Sequence, residues 1–203
     1  MPETQPVNPW EPEIRRFEEL DRHDPPPERA VLLVGSSSIG LWPDPKEDFQ
    51  PMRVIRRGFG GCGISDVLHF ADRIVLRYRP RSIVVYAGDN DIAAGRTPEQ
   101  VCEDFRNLVS KVRRALPDTR ICFVSIKPSP SRAGLWKEMT RANDLIKSCA
   151  QRSEKVVYID VTAAMLTEEG RPREELFTPD MLHMNAEGYA VWTRILRPVL
   201  LAD

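Results

Sequence analysis

An acidic residue and a histidine three positions apart, Asp180 and His183, carry the clearest chemical signal in the sequence. A carboxylate within one helical turn of an imidazole can hold one ring nitrogen as a donor and leave the other as a base. This arrangement activates a hydroxyl nucleophile, but a structural histidine or a metal pair would use the same two residue types. No second histidine-rich element completes a metal shell. His23 and His69 are interpreted as a solvated and a partly packed residue.

Three consecutive serines supply candidates for the nucleophile. Ser36, Ser37 and Ser38 follow an apolar run that ends at Gly35, where the chain would leave a strand. One interpretation is a run of helix N-cap residues, and the other is a hydroxyl that projects into a crevice beside backbone N–H donors. The Gly-x-Ser-x-Gly motif does not match, because its second glycine comes one place late.

A glycine cluster with the spacing GxGxxG follows the second apolar run, at Gly58, Gly60 and Gly63. This spacing between a strand and a helix is compatible with dinucleotide binding. That fingerprint normally follows the first strand and is followed by an acidic residue about 20 positions later, whereas positions 78–87 contain none. A tight turn that brings backbone N–H groups close to a substrate also explains the glycines. A nucleotide-dependent oxidoreductase is therefore the weaker alternative.

The third polar cluster follows Gly88 and consists of Asp89, Asn90 and Asp91. Its two aspartates suggest magnesium binding or an aspartyl-phosphate, but no later sequence clearly supplies the partners that phosphoryl transfer uses. The uncharged Asn90 amide is instead a candidate donor to an oxyanion. The ordinary alternative is an Asx-turn that only shapes the loop.

The elements that must position these residues are strands and helices in alternation. Short, continuous apolar runs rich in β-branched residues predict buried strands at 30–35, 53–59, 82–88, 120–126 and 156–160. Helical patterns are found at 64–78 and 135–151, after Thr97, where Gln100 stands at the capping-box position, and after Asn185, a favourable N-cap residue. This alternation predicts an α/β fold, a single-domain three-layer α/β/α sandwich around a central five-stranded parallel sheet. We assign residues 1–203 to that domain, with an N-terminal helical segment and proline-rich lead-in over 1–29.

The polar clusters follow the first three predicted strands. In a parallel sheet of this kind, ligands bind in a crevice at the carboxyl ends of the strands. We therefore expect the serines, the glycine loop and Asn90 to converge on one crevice.

Composition restricts the partners and the compartment. The 29 basic and 30 acidic residues give a net charge of −1, so nothing attracts the chain globally to nucleic acid or an anionic membrane. The N-terminus lacks the pattern of a signal peptide, and no apolar run approaches the roughly 18 residues of a membrane span. We expect a cytoplasmic protein with no stable membrane insertion. Reduced thiols fit the four widely spaced cysteines, Cys62, Cys102, Cys122 and Cys149.

The four polar blocks, taken in order, resemble those of the SGNH hydrolases, also called the GDSL esterase/lipase family. They are a serine after the first strand, a glycine loop after the second, an asparagine after the third and an Asp-x-x-His before the last helix. The resemblance covers almost the whole chain. It implies a flavodoxin-like fold and hydrolysis of an acyl ester without a metal or organic cofactor.

The resemblance also assigns roles to residues. It places the catalytic triad on Ser37, Asp180 and His183, and the oxyanion hole on Ser37, Gly61 and Asn90.

One position departs from the family's pattern, because Ser36 stands where Gly-Asp-Ser has an aspartate. That aspartate is neither nucleophile nor base, so its loss puts in doubt the local loop structure and the rate rather than the reaction class. It also leaves Ser36 and Ser38 as alternatives to Ser37 for the nucleophile.

The implied substrate is a small-molecule ester with a short acyl group, cleaved by an enzyme of the carboxylesterase, acetylesterase, thioesterase or lysophospholipase type. Sequence leaves open the acyl length, the leaving group, the physiological substrate and the oligomeric state, and a homodimer is compatible with it. The rival from another class is a non-catalytic module of the same fold that binds a sugar or an acyl group. Trp42 and the loop at 127–132 either shape the pocket or serve as core and connector.

Overall fold

Five parallel strands form the central sheet of the computed structural model, which describes residues 8–202. The strand order is β2-β1-β3-β4-β5, the flavodoxin-like order. The predicted three-layer α/β fold is confirmed. The strands are β1 (Val31–Gly35), β2 (Val54–Gly58), β3 (Ser82–Tyr86), β4 (Arg120–Val124) and β5 (Val156–Ile159).

Helices connect the strands and cover both faces of the sheet. No helix within residues 8–202 is long and apolar enough to cross a membrane. The helices are α1 (Glu11–His23), α2 (Ser37–Gly40), α3 (Pro45–Asp48), α4 (Ile64–His69), α5 (Ala71–Ile74), α6 (Asp89–Ala93), α7 (Pro98–Ala115), α8 (Trp136–Gln151) and α9 (Ala186–Leu201). Short 3₁₀ turns lie at Leu76–Tyr78, Pro130–Leu135, Ala163–Met165 and Glu174–Leu176.

The sheet has an apolar layer on each side because successive strand residues point to opposite faces. In β1, Leu32 and Val34 join one core cluster, together with residues of α1, α4, α5, α7 and α8. Val31 and Leu33 join the other, which includes residues of α2 and α9. All four side chains are fully buried. The continuous apolar run of β1 thus reflects a strand that is covered on both faces.

The segment at 64–78 differs from its predicted single helix. It forms α4, then α5, then a 3₁₀ turn, with breaks at Phe70 and Val75. The Phe70 ring is buried against Phe59, with the ring centroids 6.4 Å apart. The break coincides with this packing between separate elements, which helical periodicity does not encode.

Gly35 ends β1 with a φ of +139°, and a Cβ there would overlap the carbonyl oxygen of Tyr86 in β3. We expect Gly35→Ala to destabilise the fold by roughly 3 kcal/mol, since overpacking costs about 1–3 kcal/mol and the positive φ adds strain. Urea unfolding measures the effect. Gly134→Ala is the control, because nothing lies within 4 Å of a Cβ at Gly134; a similar loss there would contradict this explanation.

Candidate active site

The three strands that carry the polar clusters are neighbours in the sheet. β1 lies between β2 and β3, so the serines, the glycine loop and Asn90 leave the sheet side by side. Backbone hydrogen bonds connect the carboxyl ends of the three strands. Ser36 N–H donates to the Tyr86 carbonyl, and Phe59 N–H donates to the Gly35 carbonyl, both at 2.9 Å. The crevice expected at this edge of the sheet is therefore built from consecutive strand ends.

A chain of two hydrogen bonds links Ser37, His183 and Asp180. The His183 Nε2 atom lies 3.0 Å from the Ser37 hydroxyl oxygen, and His183 Nδ1 lies 2.6 Å from Asp180 Oδ2. Because an ionised carboxylate only accepts hydrogen bonds, Nδ1 of the neutral imidazole carries the proton and Nε2 is left to accept from the hydroxyl. The arrangement can move a proton from Ser37 to an imidazole whose positive charge is stabilised by a carboxylate.

The loop that holds Asp180 is fixed by its own hydrogen bonds. Asp180 Oδ1 accepts from the backbone N–H groups of Leu182 and His183, each at 2.9 Å, and from the Thr178 hydroxyl at 2.8 Å. The hydrogen bond from the His183 ring, supported by these donors, holds the pKa of Asp180 well below its usual range. Asp180, whose side chain is about half exposed at 48%, is thus ionised in neutral solution.

The start of α9 helps to position the segment that carries His183. The Asn185 side chain caps this helix by accepting from the Glu187 and Gly188 N–H groups at 3.0 and 3.1 Å. The cap was predicted from the sequence, and it fixes the point where the chain turns from the loop into the helix. His183 lies two residues before it, and its ring contacts Ser37 at the start of α2.

The three serines have different surroundings. Ser37 alone of the three has a hydroxyl bonded to His183. The hydroxyls of Ser36 and Ser38 are buried and have no hydrogen-bond partner within residues 8–202. At position 36, where the family's pattern has aspartate, the smaller serine is buried and makes no hydrogen bond to the triad residues.

The glycine loop borders Ser37. A Cβ on Gly60 would lie 4.0 Å from Ser37 Cβ, and Gly61 has a φ of +79°, which favours glycine. Within residues 8–202, the backbone N–H groups of Ser37 and Gly61 have no backbone acceptor.

Asn90 lies between the glycine loop and the loop that follows β4. Its Nδ2 donates to the Cys62 carbonyl at 3.1 Å, and its Oδ1 accepts from Arg132 Nη2 at 2.8 Å. Of the two Nδ2 hydrogens, one serves Cys62. The other Nδ2 hydrogen has no acceptor among the described residues.

The GxGxxG spacing has a packing explanation. A Cβ at Gly58 would overlap the backbone of α2 at Gly40, and one at Gly63 would overlap the Asp91 carboxylate. The glycines allow the serine segment and Asp91 to approach the loop closely. Dinucleotide binding is not needed to account for the glycines.

Asp91 fastens the end of the glycine loop. Its two carboxylate oxygens share the Ile64 N–H at 3.2 Å, and the residue is only 3% exposed. Burial raises the pKa of Asp91 from 3.8 to about 6, against the lowering effect of the Ile64 N–H. The ionised form is thus disfavoured in the folded protein, so this group's stabilising contribution is complete below pH 3.8 and is lost as the pH rises through about 6.

Asp91→Asn should remove that loss. The unfolding free energy of the variant minus that of the wild type is expected to rise by roughly 2 kcal/mol between pH 4.5 and pH 7. Urea unfolding at both values measures the difference. The exposed Asp144→Asn is the control, and an Asp91→Asn difference that does not change with pH would contradict the expectation.

Two features singled out in the sequence have different outcomes. Trp42 is fully buried, donates to Asp48 Oδ2 at 2.6 Å and packs against Trp192, so it belongs to the core. The loop at 127–132 is more than a connector, because Arg132 reaches Asn90. His23 and His69 are both exposed.

Sequence reasoning did not assign a role to Trp10 or Arg132. Trp10 precedes α1, and a Cβ on Gly61 would lie 3.1 Å from its ring. An aromatic residue far from the motifs gave no signal for this contact. Arg132 lay within a loop already noted, but its distance in sequence from Asn90 hid the pairing.

Within residues 8–202, no cluster of three or more His, Cys, Asp or Glu side chains is arranged to hold a metal ion. The pairing of Asp180 with His183 is instead completed by a hydroxyl.

A family model described as the GDSL-like lipase/acylhydrolase family matches residues 39–191. Because this match spans more than half of the sequence, the chain belongs to that family. It is thus a hydrolase of the GDSL/acylhydrolase type. The match begins two residues after Ser37, so it does not itself assign the nucleophile. No curated protein matches the chain significantly.

Solved structures share the fold. A Streptococcus pneumonia protein, provisionally described as a platelet activating factor, is 21% identical with a TM-score of 0.82, over 93% of this chain and 92% of its own. A GDSL-like lipase from Bacteroides thetaiotaomicron is 18% identical with a TM-score of 0.79, over 93% and 97%. An acetylxylan esterase from Geobacillus stearothermophilus is 14% identical with a TM-score of 0.69, over 84% and 93%. At these identities the likeness establishes the fold.

Proposed function

We propose that the protein is a serine acylhydrolase that cleaves carboxylic esters of small or short-chain acyl groups. The observation that carries the proposal is the continuous hydrogen-bonded chain from the Ser37 hydroxyl through His183 to Asp180, at 3.0 and 2.6 Å. A hydroxyl, an imidazole and a carboxylate in this order form the arrangement that activates serine for acyl transfer.

In the first half of the reaction, the Ser37 oxygen attacks the ester carbonyl while His183 Nε2 takes the hydroxyl proton. Asp180 holds the Nδ1 proton and stabilises the imidazolium. The resulting tetrahedral adduct collapses, the bond to the leaving group breaks, and His183 returns its proton to the departing alkoxide. Ser37 is then acylated and the alcohol is free.

In the second half, water takes the place of the serine hydroxyl. His183 removes a proton from the water as its oxygen attacks the acyl carbonyl. Collapse of the second adduct releases the carboxylic acid, and the proton returns to the Ser37 oxygen.

Negative charge on the carbonyl oxygen needs donors that are already in place. The Ser37 and Gly61 N–H groups and the Asn90 side-chain amide are assigned this role, since they border the same crevice and have donor capacity left. They bind most strongly when the carbonyl carbon becomes tetrahedral and its oxygen becomes negatively charged, and so favour the transition state over the bound ester.

The acyl group is proposed to be short, with acetyl the first candidate. One relative of the same fold is named as an acetylxylan esterase. Thioesters and lysophospholipids are the other substrate types compatible with this chemistry. A panel of p-nitrophenyl esters of increasing acyl length measures the preference, which we expect to decline from acetyl to longer chains.

A p-nitrophenyl acetate assay combined with an organophosphonate tests the proposal. The wild type is expected to release p-nitrophenol and to lose this activity when the phosphonate becomes attached to Ser37, as located by peptide mass spectrometry. The control is a sample treated with a phosphonate that lacks a leaving group. Absence of both turnover and labelling would favour a non-catalytic module that binds a sugar or an acyl group.

A further inference from the structure

The loop after β4 enters the candidate site from the side opposite the glycine loop. Ser131 N–H donates to the Met181 carbonyl at 3.0 Å, which ties this loop to the segment between Asp180 and His183. The next residue, Arg132, donates from Nη2 to Asn90 Oδ1 at 2.8 Å. The loop therefore contacts both the segment between Asp180 and His183 and the side chain of Asn90. Arg132 is the residue that reaches the Asn90 amide.

The contacts of Asn90 define which way its amide faces. A carboxamide has one accepting end and one donating end, and the two are nearly the same shape. Arginine can only donate and a backbone carbonyl can only accept, so Arg132 selects the oxygen end and the Cys62 carbonyl selects the nitrogen end. Were the amide turned over, both contacts would become repulsive.

Arg132 is itself held by charge. Its Nη1 lies 3.1 Å from Asp89 Oδ2 in an ion pair, and its side chain is 15% exposed. The same carboxylate oxygen lies 3.5 Å from Nζ of Lys127, which is 1% exposed. Asp89 Oδ1 also accepts from the Asn90 N–H at 3.1 Å. The guanidinium thus has little freedom to leave the amide.

We propose that Arg132 is a positioning residue for Asn90 and acts through the amide rather than on the substrate. This inference rests on the proposed function for its kinetic consequence. The guanidinium fixes the amide so that its free N–H faces the crevice, and its charge polarises the carboxamide and strengthens that N–H as a donor. Because the donor serves the charged intermediate, its loss should be seen in kcat rather than in KM.

A double-mutant cycle with Asn90 tests the inference. Arg132→Leu is expected to lower kcat for p-nitrophenyl acetate by about 10- to 100-fold while KM changes less than about 3-fold. In an Asn90→Ala background the same substitution should lower kcat by less than about 3-fold, because the amide it positions is gone. Arg132→Lys, which keeps the positive charge and a donating group, is expected to recover part of the activity. Arg141→Leu, on the exposed surface of α8, is the control.

Additive losses, or a rise in KM that persists in the Asn90→Ala background, would overturn the inference and indicate that Arg132 binds the substrate. Thermal unfolding of each variant separates loss of the fold from loss of positioning.

A second measurement does not need turnover. The side-chain NH₂ signals of Asn90 in ¹⁵N–¹H spectra, assigned by their absence in Asn90→Ala, should shift in Arg132→Leu and stay in place in Arg141→Leu. Unchanged signals in Arg132→Leu would contradict the inference. Failure of the wild type to hydrolyse esters, with shifted signals, would reject the proposed function and leave the positioning role standing.

Discussion

Ser37→Ala is expected to lower ester turnover on the order of 10⁴-fold or more, because the serine, histidine and carboxylate act as a unit. The Ser37 oxygen is the atom that His183 Nε2 contacts at 3.0 Å, and alanine leaves nothing there to acylate. Initial rates with p-nitrophenyl acetate measure the loss. His183→Ala should cause a loss of the same order, since without the imidazole the hydroxyl keeps its proton.

The neighbouring serines provide matched controls. Ser36→Ala and Ser38→Ala each remove a buried hydroxyl that has no hydrogen-bond partner among the described residues, so turnover should stay within a few-fold of the wild type. Near-normal turnover in Ser37→Ala together with inactivity in Ser36→Ala would place the nucleophile one residue earlier. The three variants differ from the wild type by one oxygen each, and only the position of that oxygen is compared.

Asn90→Ala is expected to lower kcat by about 10²–10³-fold, the usual effect of removing one oxyanion donor. Alanine removes the Nδ2 donor and leaves the Cys62 carbonyl and the Arg132 guanidinium without their partner. Steady-state kinetics measure kcat and KM separately, and KM should change little because the donor acts mainly in the transition state.

Asn90→Asp sharpens this test. It keeps the shape of the side chain but replaces the donating nitrogen with an oxygen that repels a negative charge, so its kcat should be at least as low as that of Asn90→Ala. The exposed Asn107→Ala serves as the surface control. An active Asn90→Asp enzyme would contradict the assignment of this amide to the oxyanion.

Local sequence patterns were enough for much of the fold. The apolar run that ends at Gly35 predicted a strand buried on both faces, and β1 is one. The Thr97 and Gln100 side chains form the capping box expected at the start of α7. Both features depend on residues within a few positions of one another, which is the range over which periodicity and capping act.

Local sequence patterns were less informative where the structure depends on packing between residues that are far apart in the chain. The helical periodicity of 64–78 did not reveal the break at Phe70, where the ring packs against Phe59 from a different element. The sequence left open whether Trp42 shapes the pocket or belongs to the core, since its partners Tyr189 and Trp192 come from the far end of the chain.

By itself, the sequence determined the order of the strands along the chain, the polar residues at their ends and the Asp-x-x-His block, together with the family resemblance they carry. Only the tertiary structure decided that, of three adjacent serines, Ser37 faces His183, and that Arg132 reaches Asn90. These pairs are 146 and 42 residues apart. Contacts at such separations depend on how the parallel sheet and its crossovers fold the chain in space, and no local pattern of residue types encodes them.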